Sequence, residues 1–297
     1  MDILERFKGY DEDTCWQYTI RQKNQQSDLD ESNITEEEAN NLRVTDFTFH
    51  FIPKDDKENF KLIKQFIEKH EWLGKISNYP THFFIAKYKD ILAGVVIMDM
   101  PNAFSKLLGD KTRKLERLIS RGACISWSPK NLASSLIMFS IKWMVKNSPY
   151  RVFTAYSDPE AKELGTIYQA CNFYYLGQNS GASKQYKVGD KWVSDRYFRS
   201  RSVYKRISIN AGVKWEDNWV DGDKILFDQI EPETALKIRE LSKAYQDSCE
   251  VRKVPKKHKY AYILGENKKE TGLLREEFKN LNPKLYNQPY PKERGKH

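Results

Sequence analysis

The stretch from Tyr156 to Gly177 places several reactive side chains in close succession. Asp158 follows a predicted strand, so its carboxylate is expected at the strand's C-terminal end, where α/β proteins gather polar groups. Gly165 permits a close backbone approach as a short helix begins, and Tyr168 and Gln169 lie in the first turn of that helix. Asp158 is therefore a candidate for proton or hydrogen-bond chemistry. A plain strand, loop and helix with a capping Asp would fit the same residues.

A second candidate is the start of the predicted helix at 129–146, which precedes this stretch in the sequence. Ser128 is a typical N-cap residue and Pro129 a typical first helical residue. The backbone N–H groups and the dipole at a helix start attract phosphates and carboxylates. Lys130 adds a positive charge at that place. An ordinary capped helix would show the same pattern.

A third candidate is a basic segment interleaved with aromatic residues, at 181–206. It has eight bases against only Asp190 and Asp195. The bases are Lys184, Lys187, Lys191, Arg196, Arg199, Arg201, Lys205 and Arg206. This mixture suits contacts with the phosphates of nucleic acid, although a solvated basic surface is the alternative.

The overall charge agrees with a polyanionic partner. The 297 residues carry a net charge of +9, with 13% aromatic residues. The charge is uneven, because residues 1–60 hold eight more acids than bases and residues 251–297 hold eight more bases than acids. A basic body of this kind suits double-stranded DNA, although charge alone fits simple solubility equally well.

Composition also argues against several classes of protein. No apolar run approaches the roughly 18 residues of a membrane span, and the acidic N-terminus has no apolar region typical of a signal peptide. The four cysteines are far apart without a CxxC motif, and the five histidines have no ligand spacing. We therefore expect no membrane association, no disulfide framework and a cytoplasmic location. The spacing gives no support for a metal site, although ligands scattered along the chain could converge in space.

The hydrophobic pattern predicts a β-α-β-β-β-α-β-α-β order, which is an α/β fold with a mixed sheet. The predicted strands are 45–52, 81–88, 91–100, 117–127, 150–156 and 173–176, and the predicted helices are 55–70, 129–146 and 165–171. A further helix is predicted at 231–245 and a short strand at 260–264.

We expect four regions. They are an acidic, weakly ordered extension at 1–44, a catalytic domain at 45–206, a helical insertion at 207–250, and a basic tail at 251–297 that packs on or extends the domain.

This order of elements resembles the GNAT acyltransferases. In that fold two neighbouring parallel strands splay apart, and the pyrophosphate of the donor rests on the helix after the first of them. The GNAT signature Q/R-x-x-G-x-G/A is absent from the corresponding turn at 128–131.

The motifs resemble more closely the Mom family of bacteriophage DNA-modification proteins, which have a GNAT-like fold. The main match is YSD at 156–158 with GTIYQACNF at 165–173 and YYLG at 174–177. Further matches are RLISR at 117–121, PKNLAS at 129–134, YKVGDK at 186–191, RS at 199–200, KHKYAY at 257–262 and PYP at 289–291. The sequence departs from the family at Glu163, where many members have His.

The resemblance implies a reaction that converts adenine in double-stranded DNA to N6-carbamoylmethyladenine and so shields phage DNA from restriction. Adenine N6 is a poor nucleophile, so we expect Asp158 to accept its proton and Tyr168 to donate to a developing oxyanion or leaving group. The adenine must leave the stack, and Phe173, Tyr174, Trp192 and Tyr197 are candidate stacking partners. The expected donor-binding residues are Arg121, Lys130, Asn131, Ser134, Gly165, Thr166 and Gln169.

Several questions stay open at this point. The donor is small and anionic or an acyl donor, either acyl-CoA or an aminoacyl-type molecule, and a homodimer is one possible assembly. Two other functions fit the sequence. One is a GNAT N-acyltransferase that acts on a protein or small-molecule amine. The other is a DNA-binding protein without catalysis on a GNAT scaffold.

Overall fold

The computed structural model describes residues 3–9, 13–77, 79–222 and 224–292. The chain separates into a large unit, which runs up to Ser180 and resumes at Lys257, and a small unit, Gly181–Lys256. This division differs from the predicted regions, because the segment 181–206 belongs to the same unit as 207–250, and the segment after Lys257 rejoins the large unit.

The elements are numbered along the whole chain. The helices are α1 Trp16–Lys23, α2 Gln25–Ser32, α3 Glu36–Asn41, α4 Lys57–His70, α5 Thr112–Leu115, α6 Leu132–Asn147, α7 Thr166–Ala170, α8 Arg201–Asn210, α9 Pro232–Asp247 and α10 Lys268–Leu281. The strands are β1 Phe47–Ile52, β2 Pro80–Tyr88, β3 Ile91–Asp99, β4 Leu107–Asp110, β5 Glu116–Cys124, β6 Val152–Ser157, β7 Tyr174–Ser180, β8 Lys184–Val188, β9 Lys191–Val193, β10 Val220–Asp221, β11 Lys224–Ile225, β12 Val251–Lys253 and β13 Lys257–Ile263.

The large unit is built on a seven-stranded sheet with the order β1-β2-β3-β5-β6-β13-β7. Only the pair β5–β6 is parallel, and the other neighbours are antiparallel. The predicted mixed α/β architecture is therefore confirmed. Strand β13, from the segment predicted to be a basic tail, lies inside the sheet between β6 and β7.

Helices cover both faces of this sheet. Phe83 of β2 meets Phe60 of α4, and the next residue, Phe84, meets Trp143 of α6. Successive side chains of a strand point to opposite faces, so α4 and α6 lie on opposite sides of the sheet. Strand β3 lies between these layers and is buried from Ala93 onward, as its nearly continuous apolar sequence predicts.

The described part of the N-terminal segment contains three helices, in contrast to the weakly ordered extension that was predicted. Helices α1, α2 and α3 occupy it, and Asp28 of α2 is fully buried. The Asp28 carboxylate accepts a hydrogen bond from the backbone N–H of Ser126 at 3.0 Å and pairs with Lys69 at 2.9 Å. The indole of Trp127 donates to the Asp28 carbonyl at 3.2 Å. The polar residues that suggested a solvated loop instead satisfy buried groups of the domain.

The start of α6 also differs from the prediction. The helix begins at Leu132 with Asn131 as its N-cap residue, and no side chain caps it. Ser128 is buried, and its hydroxyl accepts a hydrogen bond from the Arg21 guanidinium at 2.8 Å. Because this hydroxyl binds Arg21, it does not cap the helix.

The small unit has its own sheet and its own core. Its three-stranded sheet has the order β12-β8-β9, and β10 and β11 form a hairpin. Tyr204 of α8 packs with Trp219, Ile230 and Ile238. Helix α9 confirms the helix that was predicted at 231–245.

We predict that Asp28→Ala lowers the free energy of unfolding by about 3–5 kcal/mol, because it leaves the Ser126 N–H and the Lys69 ammonium without their buried partner. Urea denaturation followed by circular dichroism measures the change. Asp30→Ala, on the exposed side of the same helix, is the matched control and should change stability by less than about 0.5 kcal/mol. Equal stability of the two variants would contradict an integral N-terminal segment.

Candidate active site

The parallel strands β5 and β6 part within the sheet. They pair from Glu116 to Ile119 on β5 and from Val152 to Ala155 on β6, and no further. At this point Met98 of β3 pairs with Ile119 of β5, and the next residue, Ile97, pairs with Arg121. Ser120 is skipped in the pairing and forms a β-bulge. The bulge bends β5, while β6 continues alongside β13. This parting of two parallel strands is the feature at which the GNAT-like prediction expects a cleft.

The loop after β6 turns sharply at Gly165. This residue has φ 67° and precedes α7. A Cβ atom at this position would lie 2.5 Å from Cε2 of Tyr260, so a close approach to β13 requires glycine. The Tyr260 hydroxyl donates to the carbonyl of Leu164, and the Gln169 amide donates to the same carbonyl at 3.0 Å. Gly165 and Gln169 therefore shape the loop.

Asp158 lies at the start of this loop, and both of its carboxylate oxygens have a bonding partner. Oδ2 pairs with the Lys257 ammonium at 2.7 Å, and Oδ1 accepts a hydrogen bond from the backbone N–H of Glu160 at 3.0 Å. Its side chain is only 14% exposed. The carboxylate is therefore at the predicted strand end and is neutralised there by a lysine.

Glu163 lies on the same loop in different surroundings. Its Oε2 accepts a hydrogen bond from the backbone N–H of Asp158 at 3.3 Å, and the side chain of Trp72 is also hydrogen-bonded to it. Burial, followed by the negative charges of Glu71 and Asp158, raises the pKa of Glu163 to about 7. A carboxyl with this pKa exists in both protonation states near neutral pH.

Tyr168 lies beside this carboxyl on α7. Its ring packs against Phe173 and Tyr260, with both centroid distances 5.4 Å. Burial, together with the charge of Glu163, raises the pKa of the Tyr168 phenol, so the hydroxyl remains a hydrogen-bond donor at neutral pH. Among the described residues no hydrogen-bond partner of this hydroxyl is seen.

Arg121 connects β5 with the loop after α4. Its Nε donates to the carbonyl of Lys75 at 2.7 Å. In that loop the buried Glu71 carboxylate accepts hydrogen bonds from the N–H groups of Leu73 and Gly74, at 2.9 and 3.0 Å. Burial raises the pKa of Glu71, and the charge of Arg121 opposes this rise. Arg121 therefore lowers the pKa of Glu71 through its charge, and its hydrogen bond to Lys75 links β5 to this loop.

The remaining predicted donor-binding residues lie at the starts of two adjacent helices. Lys130 and Asn131 are exposed just before α6, and Thr166 is exposed at the first position of α7. The Ser134 hydroxyl donates to the carbonyl of Asn131 at 3.0 Å, and the Ser134 carbonyl lies 3.8 Å from the Cys171 sulfur at the end of α7. These side chains face solvent or their own backbone.

The predicted DNA-binding bases all lie in the small unit. Lys187, Arg199 and Lys205 form ion pairs with Glu250, Asp195 and Asp217, respectively. Arg201 donates to the carbonyl of Gly222 at 3.1 Å, and Arg206 lies 5.7 Å from the ring centroid of Tyr245. Within the described ranges Lys184, Lys191 and Arg196 make no ion pair and are exposed.

Two of the predicted stacking partners belong to the core. Phe173 is fully buried, and its carbonyl accepts a hydrogen bond from Tyr290 at 2.6 Å. Tyr174 packs on Phe278 of α10. Trp192, by contrast, is half-buried in the small unit, with the Arg252 guanidinium 4.7 Å from its ring centroid.

Sequence reasoning missed Glu71 and Trp72. Both lie just after α4, far along the chain from the loop that they contact, and no motif marks them. Lys257 and Tyr260 belong to a matched motif, but nothing in the sequence indicated that they face Asp158 and Gly165.

The element order, the parted parallel strands and the loop between β6 and α7 define a mixed α/β fold of the GNAT type. In the part of the chain that the structure describes, no helix has the length and apolar character needed to cross a membrane. The same residues include no group of three His, Cys, Asp or Glu side chains arranged to hold a metal ion.

Several solved structures that this chain matches over about half its length are acetyltransferases. A probable acetyltransferase from Staphylococcus epidermidis has 13% identity and a TM-score of 0.35, over 49% of this chain and 93% of that one. An N-acetyltransferase from Staphylococcus aureus has 14% identity and a TM-score of 0.33, over 49% and 91%. An acetyltransferase from Bacillus subtilis in complex with CoA has 12% identity and a TM-score of 0.31, over 50% and 93%.

The model of the Mom protein family matches residues 46–292, so the chain belongs to the Mom family. The resemblance seen in the motifs is thereby confirmed. A search of curated proteins gave no significant match.

We predict that Gly165→Ala lowers the free energy of unfolding by about 2–4 kcal/mol, because it combines left-handed backbone strain with a clash against Tyr260. Gly189→Ala is the matched control. Gly189 has φ 59° but no atom within 4 Å of the added Cβ, so the cost should be about 1 kcal/mol. Denaturant titrations measure both values, and equal losses would show that the approach to Tyr260 is not close.

Proposed function

We propose that this chain modifies DNA by transferring a carbamoylmethyl-type group to N6 of adenine in the duplex. The observation that carries the proposal is the match to the Mom family over residues 46–292, combined with a carboxyl-rich loop at the cleft between β5 and β6. Membership of the Mom family supports DNA modification, and the duplex substrate, the transferred group and the acceptor atom all belong to the proposal.

The chemistry of the acceptor explains what the site must provide. The lone pair of adenine N6 is delocalised into the ring, so the amine attacks only when it is well oriented and can lose a proton. Asp158 and Glu163 place two carboxyl groups on one loop, and Tyr168 offers a phenol for charge that develops on the donor. We assign Asp158 and Tyr168 to the catalytic centre on this basis.

The donor is expected on the other side of the cleft. Lys130, Asn131 and Ser134 lie at the uncapped start of α6, where N–H groups and the helix dipole favour an anion. We assign these residues to an anionic or acyl donor, of the acyl-CoA or aminoacyl type. We assign a shaping role at the edges of this subsite to Arg121, Gly165, Thr166 and Gln169.

The small unit is proposed to hold the phosphate backbone. Its exposed bases without an ion pair, Lys184, Lys191 and Arg196, are better placed for this than the paired Lys187, Arg199 and Lys205. Arg206 adds charge close to the Tyr245 ring, and Arg201 adds charge beside the Gly222 carbonyl. Since the target amine is paired within the duplex, the adenine must leave the stack before it reacts.

We predict that plasmid DNA from cells that express the chain contains adenine nucleosides heavier by one carbamoylmethyl group, and that Asp158→Asn reduces this adduct at least about 100-fold. The loss follows because the variant removes the charge of a carboxylate at the reaction centre but keeps its size. Liquid chromatography with mass spectrometry of digested DNA measures it.

The control for this experiment is Glu276→Gln on the exposed side of α10, which should leave adduct levels unchanged. DNA free of adduct in cells with folded wild-type protein would refute adenine modification. Acylation of an added amine in the same extract would then favour the GNAT N-acyltransferase alternative.

Binding of duplex DNA should weaken steeply as salt rises, because bound lysines and arginines displace counterions from the phosphates. We predict that Arg196→Ala reduces the slope of log affinity against log salt by about one. Arg199→Ala is the matched comparison, since its side chain is already paired with Asp195, and it should change the slope less. Fluorescence anisotropy with a labelled duplex measures both slopes, and a salt-independent affinity would contradict the assignment. Deletion of the basic segment 251–297 would not separate DNA binding from folding, because it also removes β13 from the sheet.

A further inference from the structure

We propose that Glu163, rather than Asp158, takes up the proton that the acceptor amine loses during transfer. This inference rests on the proposed function and deepens it by separating the roles of two carboxyl groups on one loop. Sequence reasoning selected Asp158 as the proton acceptor and noted Glu163 only as a departure from the family pattern.

The contacts of Asp158 suit a fixed negative charge. Both of its oxygens have partners, and the ammonium of Lys257 lies 2.7 Å from Oδ2. Loss of the Asp158 carboxylate would leave Lys257 without its counter-charge. The ion pair therefore holds the loop against β13 and keeps a negative charge beside Glu163.

Burial and neighbouring negative charges destabilise the charge of Glu163, and hydrogen bonds from Trp72 and the Asp158 N–H offset this only in part. Its neighbour Trp72 packs edge-to-face on Trp16, with 5.3 Å between ring centroids. Negative charges face it from Glu71 after α4 and from Asp158 after β6, and the Tyr168 phenol faces it from α7.

Two cations lie farther out in this cluster. Lys257 is bound to Asp158, and the charge of Arg121 acts on Glu71. Each cation thus compensates another carboxylate, and Glu163 has the hydrogen bonds of Trp72 and the Asp158 N–H in place of a counter-ion. The pKa of about 7 follows from this arrangement, and a base with a pKa near the working pH transfers protons most effectively.

The transfer step then balances without a further reactant. The amine nitrogen forms a bond to the methylene carbon of an activated carbamoylmethyl donor, because the product joins N6 to a CH2 group. The bond from that carbon to the leaving group breaks, and its electron pair departs with the leaving group. The proton that the nitrogen loses passes to the Glu163 carboxylate, which becomes a neutral acid and later releases the proton to solvent.

Adduct formation in expressed plasmid DNA tests the role of Glu163 in the reaction. Glu163→Gln keeps the size and hydrogen-bonding shape of the neutral acid but cannot take up a proton, so adduct should fall at least about 100-fold. Glu163→His restores a base that titrates near neutrality and should recover at least a tenth of the wild-type level. Wild-type adduct in Glu163→Gln, or no recovery in a folded Glu163→His variant, would overturn the proposal.

Thermal melting of the purified chain tests the same residue without donor or DNA. The folded-state pKa of about 7 lies above the usual value of 4.5. The folded protein therefore holds an extra proton between these values, and the associated stability is full below the lower value and is lost as pH rises through about 7. Glu163→Gln resembles the protonated state at every pH.

Relative to wild type, the melting temperature of Glu163→Gln should therefore rise by a few degrees between pH 5 and pH 8. Glu276→Gln should show no such change. A difference that is constant over this range would overturn the proposal, whatever the DNA experiment finds. If the melting temperatures change as expected but no sample contains adduct, the proposed DNA modification is wrong, whereas the assigned titration of Glu163 stands.

Discussion

The β-bulge at Ser120 is the local constraint on which the candidate site depends. Up to Ile119 the strands β5 and β6 share a parallel ladder, and beyond it each follows its other neighbour. Strand β13 makes this parting possible, because it supplies hydrogen-bond partners to the end of β6 that β5 has left. The same strand contributes Tyr260 and Lys257 to the loop after β6. The C-terminal part of the large unit therefore completes the site rather than merely extending the chain.

The electrostatics of the loop follow from this geometry. Lys257 reaches Asp158 because β13 runs beside β6, and in the described part of the chain the nearby Glu163 then has no cation paired with it. Helix α1 begins against the loop, where the backbone N–H of Trp16 donates to the carbonyl of Ala161 at 3.2 Å. Trp16 and Trp72 then form an aromatic wall close to the Glu163 carboxyl. Desolvation and the like charges of Glu71 and Asp158 together raise the pKa of the Glu163 carboxyl to about 7.

Local patterns in the sequence predicted much of the fold, and long-range pairing explains most of the failures. The alternating and helical patterns located β1, β2, β3, α4 and α9 to within a few residues, because each buries one face or both. Strand β13 was underestimated because its lysines indicated a surface tail, although His258 and Tyr260 are buried inside the sheet. Polar residues around Asp28 likewise indicated a loop, whereas they bind buried backbone groups. The motif around Gly165 was found, but its partner Tyr260 lies 95 residues away along the printed sequence.

The central claim is that adenine of duplex DNA reaches the loop between β6 and α7. Photo-crosslinking tests this most directly, with a duplex that carries a photoreactive group on N6 of a single adenine, followed by mass-spectrometric mapping of the linked peptide. The account predicts linkage within 156–172, and loss of that linkage when an excess of unlabelled duplex competes. Linkage confined to the small unit, with none in 156–172, would contradict it, because the chain would then hold DNA without bringing the base to the site.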